Sequence, residues 1–410
     1  MKAFTFQTPT NIRFGAGASS KIGELLKGYK AAHVLLVTDE KVWAAGLTRN
    51  AEAAIAEAGI ALTVFDGVLA DAPSHVIEAA AEICRERGVD TVVAIGGGSA
   101  LDTAKLVAYL AKTPDKLDDI YGIDRATGDR LPLLLVPTTA GTGSEVTPVS
   151  IVKTLNNEKK AVISPLLIPD WAILDPELTL GLPPHLTAQT GIDAIVHAIE
   201  AYTGKIKKNP TSDWLALKAL ARLSANLRKV CADGSDLEAR SEMLLGSTLA
   251  GMAFAHSPVA AVHALAYPIG EIFQVGHGLS IALVLPYAGE GCDEARGAPT
   301  GQQSARARRR SGPGDLCQST CGSEQAMTEL GRQTGISTFN LRHRRDLCRL
   351  CNTHSTSPDP VFSAHVAETA ANNCSSAQSG GLARILRAIA RQREGRAPST
   401  LRFNRIGSNT

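Results

Sequence analysis

Residues 191–202, GIDAIVHAIEAY, carry an aspartate and a histidine four positions apart. On a helix, Asp193 and His197 would project from the same face, because residues i and i+4 are neighbours there. The surrounding positions are apolar, and burying a carboxylate costs free energy unless it is paired or bound to a metal ion. This stretch alone leaves two interpretations open: a core histidine held by a carboxylate, or two ligands of a metal ion.

Two further histidines lie downstream of this pair. His263 falls in a helical pattern, and His277 falls in a loop flanked by glycines. Together with Asp193 and His197 they would place one carboxylate and three imidazoles around a divalent ion. This set of oxygen and nitrogen ligands suits Fe(II), with Zn(II) as the alternative. A site with few protein ligands also keeps open positions for a substrate oxygen.

Two polar loops each follow a predicted buried strand. The first, GGGSALDTAK (96–105), opens a helix, and the second is PTTAGTGSEVT (137–147). Glycines allow a ligand to approach the backbone closely, and the free N–H groups at a helix N-terminus attract anions. Because the carboxyl ends of parallel strands share one edge of a sheet, the loops predict a common diphosphate site. A plain connecting turn is the alternative for the first loop.

Asp39 ends the apolar run VLLVTD. An acid at the end of a strand can accept hydrogen bonds from a ribose 2′-OH and would repel a 2′-phosphate, which favours NAD over NADP. The alternative is a solvated loop acid with no role in binding.

These residues require a scaffold of alternating strands and helices. Apolar runs at 33–40, 61–68, 91–99 and 131–139 predict buried strands, with helical patterns between them at about 41–58, 74–88 and 99–112. This alternation predicts a doubly wound parallel sheet. Only helical patterns follow, at 185–203, 210–231, 236–254 and 259–268. We therefore predict a dinucleotide-binding α/β domain over 1–184 and an all-α metal-binding domain over 185–287.

The overall composition is that of a globular protein of two or three domains. A length of 410 residues, 44% hydrophobic residues and a net charge of +2 give no general attraction to nucleic acid or to membranes. The opening MKAFTFQTPTNIRFGAG lacks the apolar core of a signal peptide, and no uninterrupted apolar run reaches the roughly 18 residues that span a bilayer. The expected location is the cytoplasm.

The composition changes abruptly after Tyr287. Up to that residue the chain has 16 lysines and 9 arginines, whereas residues 288–410 have no lysine, 17 arginines and six of the eight cysteines. Three interpretations are open: a reading-frame shift in a GC-rich gene, a basic tail, or a zinc site on Cys317, Cys321, Cys348 and Cys351. The frame shift agrees best with the loss of every lysine. It predicts a non-native or disordered segment with too little apolar surface to form a core.

The motifs GGGSALDTAK, PTTAGTGSE, GIDAIVHAIEAY, HALAYPIG and HGLS, with Asp175–Pro176, resemble the iron-containing (group III) alcohol dehydrogenases over about residues 5–287. The resemblance implies a dehydroquinate-synthase-like architecture, with a cleft between the α/β and helical domains, an NAD cofactor and an Fe(II) ion. The implied metal ligands are Asp193, His197, His263 and His277. The implied cofactor contacts are Asp39, Gly96, Gly97, Gly98, Ser99, Asp102, Thr138, Thr139, Thr142, Ser144 and Lys160.

The activity implied by this resemblance is hydride transfer between NAD(H) and a small primary alcohol or aldehyde. The expected partners are that substrate and a second copy of the chain, with no nucleic acid and no membrane. Three alternatives stay open. They are another carbonyl substrate (maleylacetate, lactaldehyde or a glycerol-type compound), a lyase on the dehydroquinate-synthase plan, and an inactive product with a disrupted C-terminal domain.

Two positions depart from the pattern of this family. His256 stands where relatives often have an asparagine, and it is a candidate catalytic residue with two roles open, an additional ligand or a polar group that faces the cleft. Tyr267 stands where many relatives have another histidine, and we expect its hydroxyl to line the substrate pocket. A tyrosine cannot replace an imidazole as a base near neutral pH.

Overall fold

The computed structural model describes residues 3–294, apart from residues 157, 205 and 274. The strands are β1 (Asn11–Phe14), β2 (His33–Val37), β3 (Ala61–Phe65), β4 (Thr91–Gly96), β5 (Gly122–Ile123), β6 (Leu133–Pro137), β7 (Val149–Lys153), β8 (Lys159–Ile163) and β9 (Trp171–Leu174). The helices are α1 (Ile22–Gly28), α2 (Glu40–Ala44), α3 (Arg49–Glu57), α4 (Ser74–Glu86), α5 (Gly98–Leu110), α6 (Pro184–Thr203), α7 (Pro210–Ala232), α8 (Leu237–His256), α9 (Ala261–Phe273) and α10 (His277–Glu294).

The main sheet has six strands in the order β1-β9-β6-β4-β2-β3, and every pair in it is parallel. Alternate residues of β2 enter separate cores. Leu35 packs with α4 and α5 on one face, and Leu36 packs with α1 and α3 on the other. Burial on both faces explains why the central strands are continuous apolar runs. The predicted doubly wound α/β fold is confirmed.

The helix predicted over about 41–58 is two helices, α2 and α3. Gly46 lies between them with a φ of 71°, a left-handed conformation that an α-helix cannot continue through. Asp39 caps α2 and Thr48 precedes α3. The apolar pattern does mark helical residues on both sides, but Gly46 ends the first helix and the pattern does not show this break.

A second sheet, in the order β5-β8-β7, was not predicted from the sequence. β7 and β8 form an antiparallel hairpin in which Lys153 pairs with Lys159 and Val152 pairs with Lys160. Val152 and Val162 join the core around α5. The hairpin therefore covers α5 and extends the wall of the crevice at the carboxyl ends of β4 and β6.

The remaining helices, α6 to α10, pack together around an apolar core of their own. This core includes Ile192, Leu223, Met243 and Ile281. This agrees with the predicted all-α second part. α10 continues to Glu294, past the boundary predicted at residue 288. The frame shift, basic tail and zinc site proposed for 288–410 otherwise fall outside the described residues.

Among the described residues, no single helix is long and apolar enough to cross a bilayer. α8 and the start of α9 together pass that test by length and composition, but they are bent by 98°.

Candidate active site

Three imidazoles from three helices converge on one carboxylate oxygen. Asp193 and His197 come from α6, His263 from α9, and His277 from α10. The Nε2 atoms of His197, His263 and His277 lie 3.6, 3.5 and 3.7 Å from Oδ1 of Asp193. The helical spacing predicted for Asp193 and His197 does place both at this centre.

His277 was predicted to lie in a loop, and that prediction is wrong. It is the first residue of α10, and the glycine after it permits a close approach to α6. A Cβ on Gly278 would lie 2.4 Å from the carbonyl oxygen of Gln189, so a larger residue there would push His277 away from Asp193. The glycines flanking His277 thus serve helix packing.

Several polar atoms of this cluster are buried without a hydrogen-bond partner among the described residues. They are Oδ1 of Asp193, Nε2 of His263 and Nδ1 of His197. Leaving such an atom unsatisfied costs about 1–3 kcal/mol, so a ligand is expected for Oδ1 of Asp193 and Nε2 of His263, which face each other at 3.5 Å. Asp193, His263 and His277 present ligand atoms within 4.8 Å of one another. Oxygen and imidazole donors in this arrangement fit a divalent ion such as Fe(II) or Zn(II).

The electrostatics of the cluster also favour a cation. Burial raises the pKa of the Asp193 carboxyl, but the imidazoles outweigh burial and hold that pKa well below its usual range. Burial lowers the pKa of His197 and of His277 to about 4. Burial lowers the pKa of His263 as well, but the carboxylates of Glu200 and Asp193 outweigh it and raise the pKa to about 9. The buried carboxylates of Asp193 and Glu200 therefore favour a positive charge at this centre.

Glu200 is a site residue that the sequence analysis missed. It is 3% exposed, and its Oε2 accepts a hydrogen bond of 2.6 Å from Nδ1 of His263. The signal was present in the sequence, because the spacing i, i+4, i+7 places Asp193, His197 and Glu200 on one helix face.

A cleft of about 740 Å³ lies beside this centre. Its lining includes Asp71, Ser99, Lys153, Lys159, Tyr267 and His277. The Tyr267 ring stacks on His277 at a centroid distance of 5.4 Å, and Phe254 stacks on His197 at 4.4 Å. Burial raises the pKa of Tyr267, so its hydroxyl stays neutral. The structure thus places Tyr267 in the cleft wall, and aromatic rings flank two of the histidines.

The two predicted cofactor loops face each other at the carboxyl ends of β4 and β6. The Thr138 amide donates to the Gly96 carbonyl at 2.9 Å. A Cβ on Gly97 would lie 3.6 Å from Cγ2 of Thr139, and one on Gly98 would lie 2.7 Å from Cγ2 of Thr142. Gly97 is the N-cap of α5 and supplies no side chain to its amides. The amides of Ala100 and Leu101 donate to the Gly97 carbonyl, which leaves the amides of Gly98 and Ser99 for an anion.

Asp102 and Ser144, both predicted cofactor contacts, bind each other. Oδ1 of Asp102 accepts from the Ser144 hydroxyl at 2.5 Å, and Oδ2 accepts from the Ile151 amide at 3.0 Å. The Lys105 ammonium is fully buried beneath them and donates to the Val149 carbonyl at 2.7 Å. Burial lowers the pKa of Lys105 to about 8. Through these contacts Asp102 and Ser144 hold the two loops together.

The second loop also depends on a glycine contact with α8. A Cβ on Gly251 would lie 2.8 Å from Cα and 2.9 Å from the carbonyl oxygen of Gly143. Gly251→Ala should therefore displace the loop, lowering the free energy of unfolding by about 1–3 kcal/mol and weakening NAD binding. Urea unfolding and NAD titration would measure both. Gly181→Ala is the matched control, because a Cβ there has no neighbour within 4 Å. Equal effects of the two variants would contradict this account.

Asp39 lies where the ribose acid was predicted, after β2 and beside the first loop. Its Oδ1 caps α2 by accepting from the amides of Lys41 and Val42, each at 3.0 Å. Its Oδ2 would lie 3.8 Å from a Cβ on Gly96. The residue thus has a structural role through one oxygen and points the other toward the glycine loop.

Lys160, the predicted cofactor-contacting lysine, lies on the other face of the hairpin from the cleft-lining lysines. Its Nζ is 5.4 Å from the centroid of the Tyr121 ring and 3.8 Å from Oε2 of Glu158. Lys159 lines the cleft instead and pairs with Asp71 at 2.7 Å. Successive strand residues point to opposite faces, so a difference of one residue decides which lysine lies in the cleft.

His256 lies in neither of its two expected roles, as an additional ligand or as a group that faces the cleft. Its Nδ1 donates to the Met252 carbonyl at 2.8 Å, and its Nε2 accepts from the Gln7 amide at 2.7 Å. The ring stacks on Phe6 at 4.0 Å. Both nitrogens are occupied, and His256 fastens the N-terminal segment to the end of α8.

This contact predicts a pH dependence of stability. Burial lowers the pKa of His256, so as the pH falls below about 6.5 the unfolded chain takes up the proton first. The stabilisation is complete above that pH and is lost as the pH falls through the folded-state pKa, with a slope of at most about 1.4 kcal/mol per pH unit. His256→Asn should reduce this slope in urea unfolding between pH 7 and pH 5. An unchanged slope would rule out the contribution.

Two models of one protein family match this chain. Residues 9–176 match the model of iron-containing alcohol dehydrogenases, and residues 187–310 match the C-terminal model of the Fe-containing alcohol dehydrogenase family. The second match extends past residue 287, where the resemblance had been placed to end. Long-chain-alcohol dehydrogenase 1 of Geobacillus thermodenitrificans is 43% identical over 285 residues, which cover 68% of this chain and 71% of the relative.

Solved structures agree with this assignment. The crystal structure of 1,3-propanediol oxidoreductase matches with a TM-score of 0.78 and 30% identity, covering 95% of this chain and 100% of that chain. Sulfoacetaldehyde reductase from Bifidobacterium kashiwanohense, in complex with NAD+, matches with a TM-score of 0.75 and 28% identity, covering 95% and 99%. With its α/β and helical parts and its centre of one aspartate and three histidines, the chain belongs to the iron-containing alcohol dehydrogenase family of oxidoreductases.

Proposed function

We propose that this enzyme transfers hydride between NAD(H) and a small primary alcohol or aldehyde bound in the cleft beside His277. The observation that carries the proposal is the convergence of three imidazole Nε2 atoms on Oδ1 of Asp193, at 3.5 to 3.7 Å. This centre and Ser99 of the glycine loop both adjoin the same cleft. A substrate and a dinucleotide could therefore meet there.

Asp193, His197, His263 and His277 would hold Fe(II), with Zn(II) as the alternative. When bound, such an ion supplies Lewis-acid chemistry, which lowers the pKa of an alcohol and polarises a carbonyl. NAD, when bound, supplies the hydride acceptor. The α5 amides beside Gly97 would bind its diphosphate. Tyr267 and Phe254 would shield the reacting atoms from water through their contacts with His277 and His197.

The relatives support alcohols and aldehydes as the substrate class, and two are named for a long-chain alcohol and for 1,3-propanediol. A second candidate is an anionic carbonyl compound, such as maleylacetate. Lys153 and Lys159 line the cleft together with Asp71, which pairs with Lys159, so the lining keeps one excess positive charge that favours an anion. A cytoplasmic location and a homodimer remain predictions.

The test is NADH formation by the purified chain after anaerobic loading with Fe(II). Butanol is the neutral substrate, and butanal and sulfoacetaldehyde are supplied with NADH for the reverse reaction. We expect turnover with butanol and butanal, and its loss on chelation. Turnover with sulfoacetaldehyde alone would favour the anionic class. A chain that binds Fe(II) and NAD but reduces or oxidises none of these compounds would contradict the proposal.

A further inference from the structure

We propose that Glu200 is a positioning residue that holds the neutral ring of His263 with its hydrogen on Nδ1 and its Nε2 atom directed at the metal centre. The inference rests on the proposed metal site and extends it to a residue that would not touch the ion. Glu200 lies on α6, three residues after His197, and is buried with the two ligands of that helix.

The contact with His263 fixes the chemistry of the ring. Oε2 of Glu200 lies 2.6 Å from Nδ1 of His263. An ionised carboxylate can only accept, so Nδ1 must carry the hydrogen, and the lone pair of the neutral ring lies on Nε2. That Nε2 is 3.5 Å from Oδ1 of Asp193 and has no hydrogen-bond partner among the described residues. Glu200 therefore selects the tautomer that can bind a cation.

The same carboxylate fastens the start of α9. Oε1 accepts from the Val262 amide at 2.6 Å, and Oε2 also accepts from the Ala260 amide at 2.9 Å. These amides lie at the N-terminus of α9, where donors lack intrahelical partners and the helix dipole favours a negative charge. Glu200 thus sets both the position of the helix that carries His263 and the rotation of its ring. Outer carboxylates of this kind typically contribute about 10–100-fold to metal affinity.

Two substitutions separate the hydrogen bond from the volume of the side chain. Glu200→Leu removes every acceptor, and we expect the Kd for Zn²⁺ to rise about 10–100-fold. Glu200→Gln can keep its oxygen at the Oε2 position, where it still accepts from His263 and the Ala260 amide, while its NH2 group then faces the Val262 amide, which is also a donor. We therefore expect its Kd to rise clearly less than that of Glu200→Leu. The Kd is measured by competition with a chromophoric chelator.

Ser257→Ala is the matched control for loosening the contact between α6 and the segment that joins α8 to α9. Ser257 caps the end of α8, and its hydroxyl donates to the Ala201 carbonyl at 2.6 Å rather than to a proposed ligand. We expect this variant to lower the free energy of unfolding and to leave the Kd for Zn²⁺ and the visible spectrum of the Co(II)-loaded protein unchanged. Glu200→Leu should change both the Kd and that spectrum, because one ligand loses its fixed orientation.

The outcomes separate the two proposals. If the wild-type chain does not bind Zn²⁺, the proposed metal site is wrong. If it does bind, an unchanged Kd in a folded Glu200→Leu variant would overturn the positioning role. The same conclusion would follow if Glu200→Gln or Ser257→Ala raised the Kd for Zn²⁺ as much as Glu200→Leu does. If Glu200→Leu does not fold, NMR of the zinc-loaded wild type decides. The His263 Nδ1 proton should be slowly exchanging and should move upfield in Glu200→Gln, and its absence would overturn the proposal.

Discussion

Replacing Asp193 with asparagine is expected to abolish tight metal binding and to lower kcat/KM by about a thousandfold or more. The loss of Lewis-acid assistance is worth several kcal/mol, and each 1.36 kcal/mol corresponds to about tenfold in rate. Asparagine keeps the shape of the side chain but removes the charge at the oxygen that three imidazole Nε2 atoms face. NAD affinity should change by less than about twofold, because the diphosphate loop is on α5 in the other part of the fold.

Metal content after anaerobic loading and NAD titration measure the two effects separately. His263→Ala should behave in the same way, since it removes one imidazole from the same centre. His256→Asn is the control histidine, because its ring is bound to Met252 and Gln7 rather than to this centre. If a chelated, metal-free sample oxidised alcohols at the untreated rate, the assignment of the centre would be wrong.

The elements that hold the site could be predicted because each leaves a strong local pattern. β4 and β6 are fully buried on both faces and therefore appear as unbroken apolar runs. Asp193 and His197 are on one helix, so their spacing alone brings them together. The first glycine loop could also be predicted from a local pattern, because the residues that open α5 are adjacent in sequence.

The remaining features depend on contacts between distant segments. The helical spacing puts Glu200 on the same face as Asp193 and His197, but its partner His263 is 63 residues further along the chain and no local pattern joins the two. Lys159 and Lys160 are adjacent and chemically identical, and only the register of the β7–β8 hairpin decides which of them lines the cleft. The His277 loop prediction was wrong because the flanking glycines were taken as turn signals. They instead allow α10 to pack against Gln189 of α6.

Asp39→Asn is expected to shift the preference for NADP over NAD upward by roughly 10- to 100-fold. A carboxylate near the ribose repels a 2′-phosphate, and removing a like charge from such a contact changes binding by about 1–3 kcal/mol where the site is partly desolvated. Asp39 is half-buried, so screening by water keeps the effect within that range.

Asparagine tests the charge of Asp39 more directly than glycine does, because it can keep the hydrogen bonds of the side chain. Oδ1 of Asp39 caps α2 through the amides of Lys41 and Val42, and asparagine serves almost equally well as an N-cap. Asp39→Gly would also remove the charge, but it would lose those two hydrogen bonds. Agreement between Asn and Gly in the cofactor ratio would therefore assign the effect to charge rather than to the position of α2.

Glu40→Gln is the matched control for charge, because Glu40 is the next residue, is exposed, and does not cap α2. The measurement is kcat/KM for NAD and for NADP with a single alcohol at constant ionic strength, since screening weakens an exposed charge. A general effect of charge at this edge of the sheet would shift the ratio equally in Glu40→Gln and Asp39→Asn, whereas a direct contact with the ribose would shift it in Asp39→Asn alone. An unchanged ratio in Asp39→Asn would show that this carboxylate is a helix cap and does not contact the cofactor.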